Sequence, residues 1–575
     1  MKTQGLSPLV VNLAIVVLGA LFFLPGIGGV RLFDWDEINF AESAREMLLT
    51  GDWFHVQINF EPFWEKPPLF IWAQALSMKV FGVNEFAARF PNALMGIITL
   101  LTLFNLGRRH GGTRFGLLWA IMYGISFLPF FYFKSGIIDP WFNFFIFLGI
   151  YYLARYSESA GAGNAALSAL FTGLAVLTKG PVGLLIVGLS ALAWLISVRF
   201  RLSFRWKDVA LWFAVLALIG GSWFIALAAS GNGDVIRDFI AYQVRLFETR
   251  DAGHGGFMFY HFLILLFGVT PASFFALRAL GRMPGRDGDV DEEAEATALS
   301  AADGSLRRWM TVSFWVVLIL FTLVRTKIVH YSSFCYFPLS FLGALAAERT
   351  IEGKIRFSAW QRGMLIATAI GFGLLLAAIT LFDFYKGALI PHVRDAFTAS
   401  CMEATSFSGA FPVLSSILLI GTTVWFCISF SRKPDVRSFC ILGAGNLLFG
   451  LTAICCTVPQ VEKYSQDSAI EFYIDRRGED CYVEPAYFKT YAHYFYTDRQ
   501  PGNNCDDFEY LSGGTLDKPC YFVLQDIPSE LERFSADVPD AEFLYRRSGF
   551  RFFVRPKTEQ GSADKDGEGQ QEGIE

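Results

Sequence analysis

Side chains capable of chemistry crowd together early in the chain. The stretch reads Phe33-Asp34-Trp35-Asp36-Glu37-Ile38-Asn39-Phe40-Ala41-Glu42-Ser43-Ala44-Arg45-Glu46-Met47-Leu48. Phe40, Ala44, Met47 and Leu48 share one helical face, with Glu42, Arg45 and Glu46 away from it. That pattern predicts an amphipathic helix lying in a membrane interface. Capping accounts for Asp34 with Glu37 three residues on, because both suit the first turn and its dipole. It leaves Asp36 without a structural task. Further on, Phe63-Trp64-Glu65-Lys66-Pro67-Pro68-Leu69 displays Lys66 beside Glu65, with the two prolines fixing an extended turn. A lysine at headgroup level can bind a lipid phosphate as a point charge. The plainer alternative is a lysine that snorkels between aromatic rings.

These residues must be positioned by elements that sit in lipid. Of 575 residues, 53% are hydrophobic and only 18% are charged, against about 25% in soluble domains. Apolar windows long enough to cross a bilayer recur at 9–28, 87–107, 115–133, 138–154, 165–178, 181–197, 209–229, 259–279, 310–324, 331–347, 360–382, 411–430 and 438–457. The first of these continues into Pro25 and Gly26 without a small-residue cleavage site, so it reads as a retained span. The break at Lys179-Gly180-Pro181 is compatible with a re-entrant turn. The fold class expected is therefore an all-α polytopic transmembrane bundle of about 13 spans, with interfacial juxtamembrane helices.

Basic residues set the orientation. Arg108 to Arg114, Arg199 to Lys207, Arg278 to Arg308, Arg349 to Arg356 and Arg432 to Arg437 all fall on one side when the N-terminus is inside. The loops 30–86, 134–138, 230–258, 325–330 and 383–410 then face outward. Residues 1–457 form the membrane domain, with the catalytic loop expected at 30–86. Residues 458–556 lose the long apolar runs and gain short alternating ones such as Cys520-Tyr521-Phe522-Val523-Leu524, which predicts a small C-terminal α/β domain outside the membrane. The tail 557–575 and the acidic stretch 284–304 read as disordered and flexible. Five of the nine cysteines (335, 427, 440, 455 and 456) lie in expected spans as small apolar residues. Cys401, Cys481, Cys505 and Cys520 lie outside, where up to two disulfides with three connectivities are open. A pI near 5.9 and scattered basic residues give nucleic-acid binding no support.

Several segments, taken in order, resemble the membrane-embedded C-type glycosyltransferases. Trp35-Asp36-Glu37 with Phe40-Ala41-Glu42, then Gly51-Asp52-Trp53 and Glu65-Lys66-Pro67-Pro68-Leu69, look like that family's first outer loop. Ile138-Asp139-Pro140, Leu177-Thr178-Lys179-Gly180-Pro181, Gly253-His254-Gly255-Gly256 and Thr326-Lys327-Ile328-Val329-His330-Tyr331 follow. The likeness spans roughly residues 30 to 345 and is nearest to the aminoarabinose transferases of lipid A and their protein O-mannosyltransferase kin. Asn39-Phe40 and Phe257-Met258-Phe259-Tyr260 depart from the family pattern.

The resemblance implies a catalytic role for Asp36, with Glu37 and Asp139 beside it, although a helix N-cap competes for Asp139. It implies that Lys66, Arg245, Lys327 and Tyr331 hold the carrier phosphate, with a solvated-loop reading of Arg245 equally open. It also implies that Glu65 and His254 share a divalent metal such as Zn2+, thin ligation unless water or substrate completes it. The implied reaction is inverting transfer of a hexosyl or pentosyl group from a polyprenyl-phosphate carrier, on the periplasmic face of a bacterial inner membrane. The expected acceptor is lipid A or another lipopolysaccharide component, then a protein hydroxyl as in O-mannosylation. Asp34-Trp35-Asp36 is formally a D-x-D, but nucleotide sugars are not expected on the outer side. A transporter or flippase of lipid-linked sugars is the rival reading; its ionisable residues would cluster near the midplane rather than in loops at one end.

Overall fold

The computed structural model describes residues 7–63, 65–202, 205–248, 256–280 and 304–558. The expectations for 284–304 and for the tail therefore fall almost entirely outside the described residues. The chain divides into two compact units, one of Met1–Phe384 with Ser406–Glu462 and a second of Tyr385–Thr405 with Lys463–Glu575.

The first unit is helical. Its opening elements are α1 (Pro8–Phe23), α2 (Asp36–Thr50), α3 (Leu69–Phe81), α4 (Glu85–Gly124), α5 (Phe127–Tyr132), α6 (Asp139–Glu158), α7 (Ala162–Lys179) and α8 (Val182–Ser197). A two-residue hairpin, β1 (Gln57–Ile58) with β2 (Glu61–Pro62), interrupts the loop between α2 and α3. Among the described residues, five helices are long and apolar enough to cross a membrane: Glu85–Gly124, Ser305–Leu323, Ala359–Thr380, Phe411–Arg432 and Val436–Lys463. Two bent pairs raise the number to seven: Trp206–Gly220 with Ser222–Ala229, bent by 55°, and Tyr260–Gly268 with Ala272–Leu280, bent by 117°.

The difference from thirteen windows has local causes. The window 87–107 falls inside α4 and 115–133 starts in it and runs on through α5; α4 is broken at its basic turn, where Gly112 takes φ +83° and a Cβ on Gly107 would lie 2.7 Å from the Gly116 Cα. Glycine alone allows both that backbone angle and that approach. Others are short, α1 and α8 being helices of 16 residues. The last helix runs on past residue 457, through a turn of π-helix at Ala453–Thr457 into Val458–Lys463, so Val458 to Glu462 stay with the first unit.

One expectation is corrected at α2. Its charged face does not lie toward headgroups, because every residue from Glu37 to Met47 is buried. Arg45 donates from Nε to Glu42 Oε2 at 2.8 Å and from Nη2 to Glu42 Oε1 at 2.7 Å. Glu46 accepts from the backbone N–H of Asn59 at 2.6 Å and of Phe60 at 2.9 Å. Those two residues have φ of +58° and +63°, an uncommon conformation that forms the tip of the β1–β2 hairpin. A polar network, not a wet surface, covers the second face of α2.

The second unit contains a four-stranded mixed sheet in the order β3-β4-β6-β5, formed by β3 (Tyr482–Ala486), β4 (Cys520–Gln525), β5 (Glu542–Arg547) and β6 (Phe550–Arg555). β3 runs parallel to β4, and the other pairs are antiparallel. The alternating run at Cys520 is β4, whose Phe522 and Leu524 enter a core with Leu511, Phe534 and Val538. Cys401, Cys481, Cys505 and Cys520 all carry free thiols.

Candidate active site

Asp36 opens α2, directly after Trp35, a non-glycine residue at φ +73°. Backbone strain of this kind costs about 1–3 kcal/mol and persists where the surroundings fix it. Here the Trp35 carbonyl accepts from the Asn39 N–H at 2.9 Å, and Arg89 fixes the approach to it. The Arg89 guanidinium is buried, and all five of its donors are engaged. Two go to Glu37, at 3.0 and 2.7 Å, and three to the carbonyls of Ile27, Val30 and Arg31, at 2.8, 2.7 and 2.9 Å. Glu37 also accepts from the backbone of Phe33 at 2.9 Å and of Gly136. With four donors on two oxygens and 2% exposure, Glu37 is not available to a substrate. The catalytic role expected of it is replaced by a positioning one.

The Asp36 side chain, by contrast, is 46% exposed, and its Oδ2 lies 3.8 Å from His330 Nε2. His330 sits on a short 3-10 helix, Val329–Cys335, that follows the helix Gly304–Leu323. The charges acting on its ring are those of Asp139, Lys179, Asp36 and Lys66. Burial holds the ring below its ordinary imidazole pKa, the two acids raise it, and the two lysines lower it. Among the described residues, no lysine or arginine pairs with Asp36.

Asp139, at the start of α6, is buried and accepts from Lys179 Nζ at 2.8 Å. No side chain caps the N-terminus of α6 by hydrogen bonding, so the ion pair, not a cap, is its task. Lys179 reaches it because α6 and α7 pack as an antiparallel pair and α7 ends there. Gly180 follows at φ +88°, where a Cβ would lie 2.7 Å from the Phe239 ring. The break thus forms a tight turn into α8. Lys179 also lies 5.9 Å from the centre of the Tyr331 ring, which puts Tyr331 at the edge of the same cluster.

Lys66 is 14% exposed, lies 3.6 Å from Glu65, and stands 5.2 Å above the Tyr242 ring. Tyr242 donates from its hydroxyl to Glu65 at 3.2 Å, and Arg245 packs its guanidinium 5.2 Å from the same ring. One aromatic ring thus organises two of the cations expected at a phosphate. Lys327 does not join them. Its ammonium donates to the carbonyls of Phe321, Thr322 and Val324, at 2.9, 2.7 and 2.6 Å, and so caps the end of the helix Gly304–Leu323. All three donors are engaged, which corrects the carrier-phosphate role expected of it. His254 lies outside the described residues. Glu65, the other expected metal ligand, accepts from Tyr242 and lies beside Lys66.

Lys179 and His330 fall within motifs quoted for the resemblance, but sequence reasoning assigned them no role, and Arg89 was missed altogether. A signal existed for Lys179: a lysine at a helix end before Gly-Pro, buried in apolar sequence, calls for a partner acid.

Known proteins bear on this arrangement. Residues 65–228 match the family model for dolichyl-phosphate-mannose-protein mannosyltransferase. An undecaprenyl phosphate-alpha-4-amino-4-deoxy-L-arabinose arabinosyl transferase of Edwardsiella ictaluri is 29% identical over 345 residues, 58% of this chain and 59% of that one. Another, from Pseudomonas fluorescens, is 27% identical over 372 residues, 63% of this chain and 62% of its own length. The chain thus matches less than two thirds of either relative. The crystal structure of ArnT from Cupriavidus metallidurans bound to undecaprenyl phosphate superposes with a TM-score of 0.72, covering 96% of this chain and 98% of that one at 16% identity. The chain has the fold of that structure. The resemblance read from its motifs therefore stands, and with it a mostly helical architecture closed by a small sheet.

Proposed function

We propose that this chain is an inverting glycosyltransferase that takes a hexosyl or pentosyl group from a polyprenyl monophosphate at the outer face of a bacterial inner membrane. The observation that carries the reading is the convergence of Asp36, Lys66 and the Asp139–Lys179 pair around His330. Two acids and two lysines, gathered at helix ends and in the turn before α3, suit a reaction that separates a phosphate from a sugar carbon.

In the transfer, the C1–O bond to the carrier phosphate breaks as an acceptor oxygen forms a bond to C1 from the opposite face. Asp36, exposed and without a direct counter-charge, orients an acceptor hydroxyl and takes its proton. For a phosphate acceptor no proton need move, and Asp36 acts on the positive charge that develops at C1. Lys66 and Arg245 receive the departing phosphate as its charge grows. Asp139 is held by Lys179 and acts through placement rather than by exchanging a proton. Where a zinc ion binds Glu65 and His254, it would add positive charge on the phosphate side; the steps above rest on the chain's own residues.

Lipid A or another lipopolysaccharide component is the proposed acceptor, on the strength of the aminoarabinosyl transferases that the chain resembles. A protein hydroxyl is the second reading, favoured by the mannosyltransferase family match over residues 65–228. The thirteen apolar windows and the one-sided basic loops support a multi-pass topology with this site facing the periplasm. Reconstituted protein, given polyprenyl-phosphate sugars and lipid A, should transfer sugar in the native form and not as Asp36→Asn. Normal transfer by that variant would remove Asp36 from the reaction. Movement of the lipid-linked sugar between leaflets without any transfer would favour the transporter instead.

A further inference from the structure

The second unit brings three side chains able to ligate a metal close together, one of them a buried histidine without a partner among the described residues. Glu484 is supplied by β3, His493 by the short helix Ala492–Tyr496, and Asp506 by the segment that follows the turn Pro501–Asn503. One ligand atom from each lies within 4.8 Å of the other two. His493 is 3% exposed, and neither of its ring nitrogens has a hydrogen-bond partner among the described residues. A buried donor or acceptor left unmet costs about 1–3 kcal/mol, and a neutral imidazole contains one of each. The ring is not loosely placed, since it packs 3.9 Å from the centre of Tyr494 and 6.1 Å from that of Tyr473.

The acids show the complementary imbalance. Burial, and then the nearby Asp506, push the Glu484 carboxyl up to about 8, with Arg499 pulling it back. Asp506 is exposed and already oriented: Arg499 donates to its Oδ1 at 2.6 Å and Tyr494 to its Oδ2 at 2.7 Å. Outer partners of this kind fix the direction of a ligating carboxylate.

We propose that Glu484, His493 and Asp506 form a divalent-cation site in the C-terminal unit, with zinc as the ion that fits best. A cation would engage a histidine nitrogen that has no partner among the described residues and would lie between the two carboxylates. One nitrogen and two carboxylates match zinc, whereas calcium and magnesium favour all-oxygen sets. Three protein ligands leave a coordination position for water, which the exposed side of Asp506 admits. The ion would cross-link a strand, a helix and a loop of a small domain, so its binding energy becomes folding energy. Glu65 of the first unit takes no part in it.

The test uses the full chain in detergent, stripped with EDTA and returned to zinc, in a Glu65→Ala background that removes the other candidate ligand. Metal content and melting temperature are read with and without zinc for that protein, for His493→Ala and for Glu484→Gln. The site requires one zinc per chain that raises the melting temperature, with affinity at least about tenfold weaker in both variants. Should His493→Ala fail to fold, the nearly isosteric Glu484→Gln decides, together with the visible spectrum of bound cobalt(II) in the protein with all three ligands. Equal zinc content and equal melting shifts across the set, or no zinc bound by the parent, would overturn the site. In either case His493 is a ring held among acids and nothing more.

Discussion

Asp36 and Glu37 are adjacent at the start of one helix, yet they belong to two different regions of the first unit. Glu37 is part of a buried network in which Arg89 has no donor to spare and two backbone N–H groups complete the carboxylate. The Glu42–Arg45 pair and the Glu46 contacts with the hairpin are built in the same manner. Around His330 the arrangement is looser: among the described residues Asp36 has His330 at 3.8 Å, and Lys66 has Glu65 at 3.6 Å. Saturated carboxylates hold the loop, whereas unsaturated ones face the space where a substrate would lie. Buried ion pairs add little net stability of their own, but removing one partner from them is costly. The two regions should therefore fail in different ways.

The largest effect is expected at Asp36. Asp36→Asn should lower turnover by about a thousandfold, within the range for loss of a positioned general base. The melting temperature in detergent should not change, because no hydrogen bond of the fold depends on it. Glu37→Gln should do the reverse. It leaves the Arg89 guanidinium buried beside a neutral amide, at a cost of about 3–5 kcal/mol in stability. Turnover per folded molecule should remain close to native. A melting curve beside an active-site titration separates the two, and a stable but inactive Glu37→Gln would erase the distinction.

Part of this contrast was legible in the sequence, and part of it could not be. Capping by Asp34 and Glu37, which the sequence suggested, is not what the structure shows: Trp35 stands at the N-cap with no side-chain cap, and Glu37 serves Arg89 instead. Arg89 lies 52 residues from Glu37, and no local pattern links them. The same holds for Lys179 and Asp139, 40 residues apart. Helical periodicity found α2 but misjudged its charged face, since the period records which side is apolar and not whether the other side is wet. Lys327 was misread for a related reason: a lysine beside aromatics looks alike whether it meets a phosphate or the carbonyls ending its own helix. The apolar windows located the helices well and their lengths poorly, because glycine pairs and bends shorten helices without changing composition.

A smaller loss is expected at Lys66, and it sharpens the looser side of the comparison. Lys66→Met keeps the stem over Tyr242 and removes the charge. Turnover should fall by about a hundredfold, the lower part of the range for losing one group that stabilises developing charge. Lys66→Arg should recover part of it. A rise in KM with unchanged turnover would mean that Lys66 binds the carrier equally before and during transfer, rather than answering the charge of the leaving phosphate.

The smallest effect is a slope, and it tests the buried network from within. Burial, and then the adjacent Glu42 carboxylate, push the Glu46 carboxyl from the ordinary 4.5 up to about 8. Between those values the folded chain retains a proton there that the unfolded chain has released, so stability is greatest at the acid end and declines as pH rises toward 8. For one group the decline is at most about 1.4 kcal/mol per pH unit. Glu46→Gln mimics the protonated form but exchanges one acceptor of the Asn59 and Phe60 N–H groups for a donor, a loss of about 1 kcal/mol. It should therefore melt below the native chain at acid pH and converge with it as pH rises. Glu484, also pushed up to about 8, titrates in both proteins, so the difference between the two curves belongs to Glu46. Parallel curves would mean that Glu46 is ionised throughout, with Arg45 shared between it and Glu42. The hairpin that leads to Lys66 would then be tied down by a charge and not by a neutral acid.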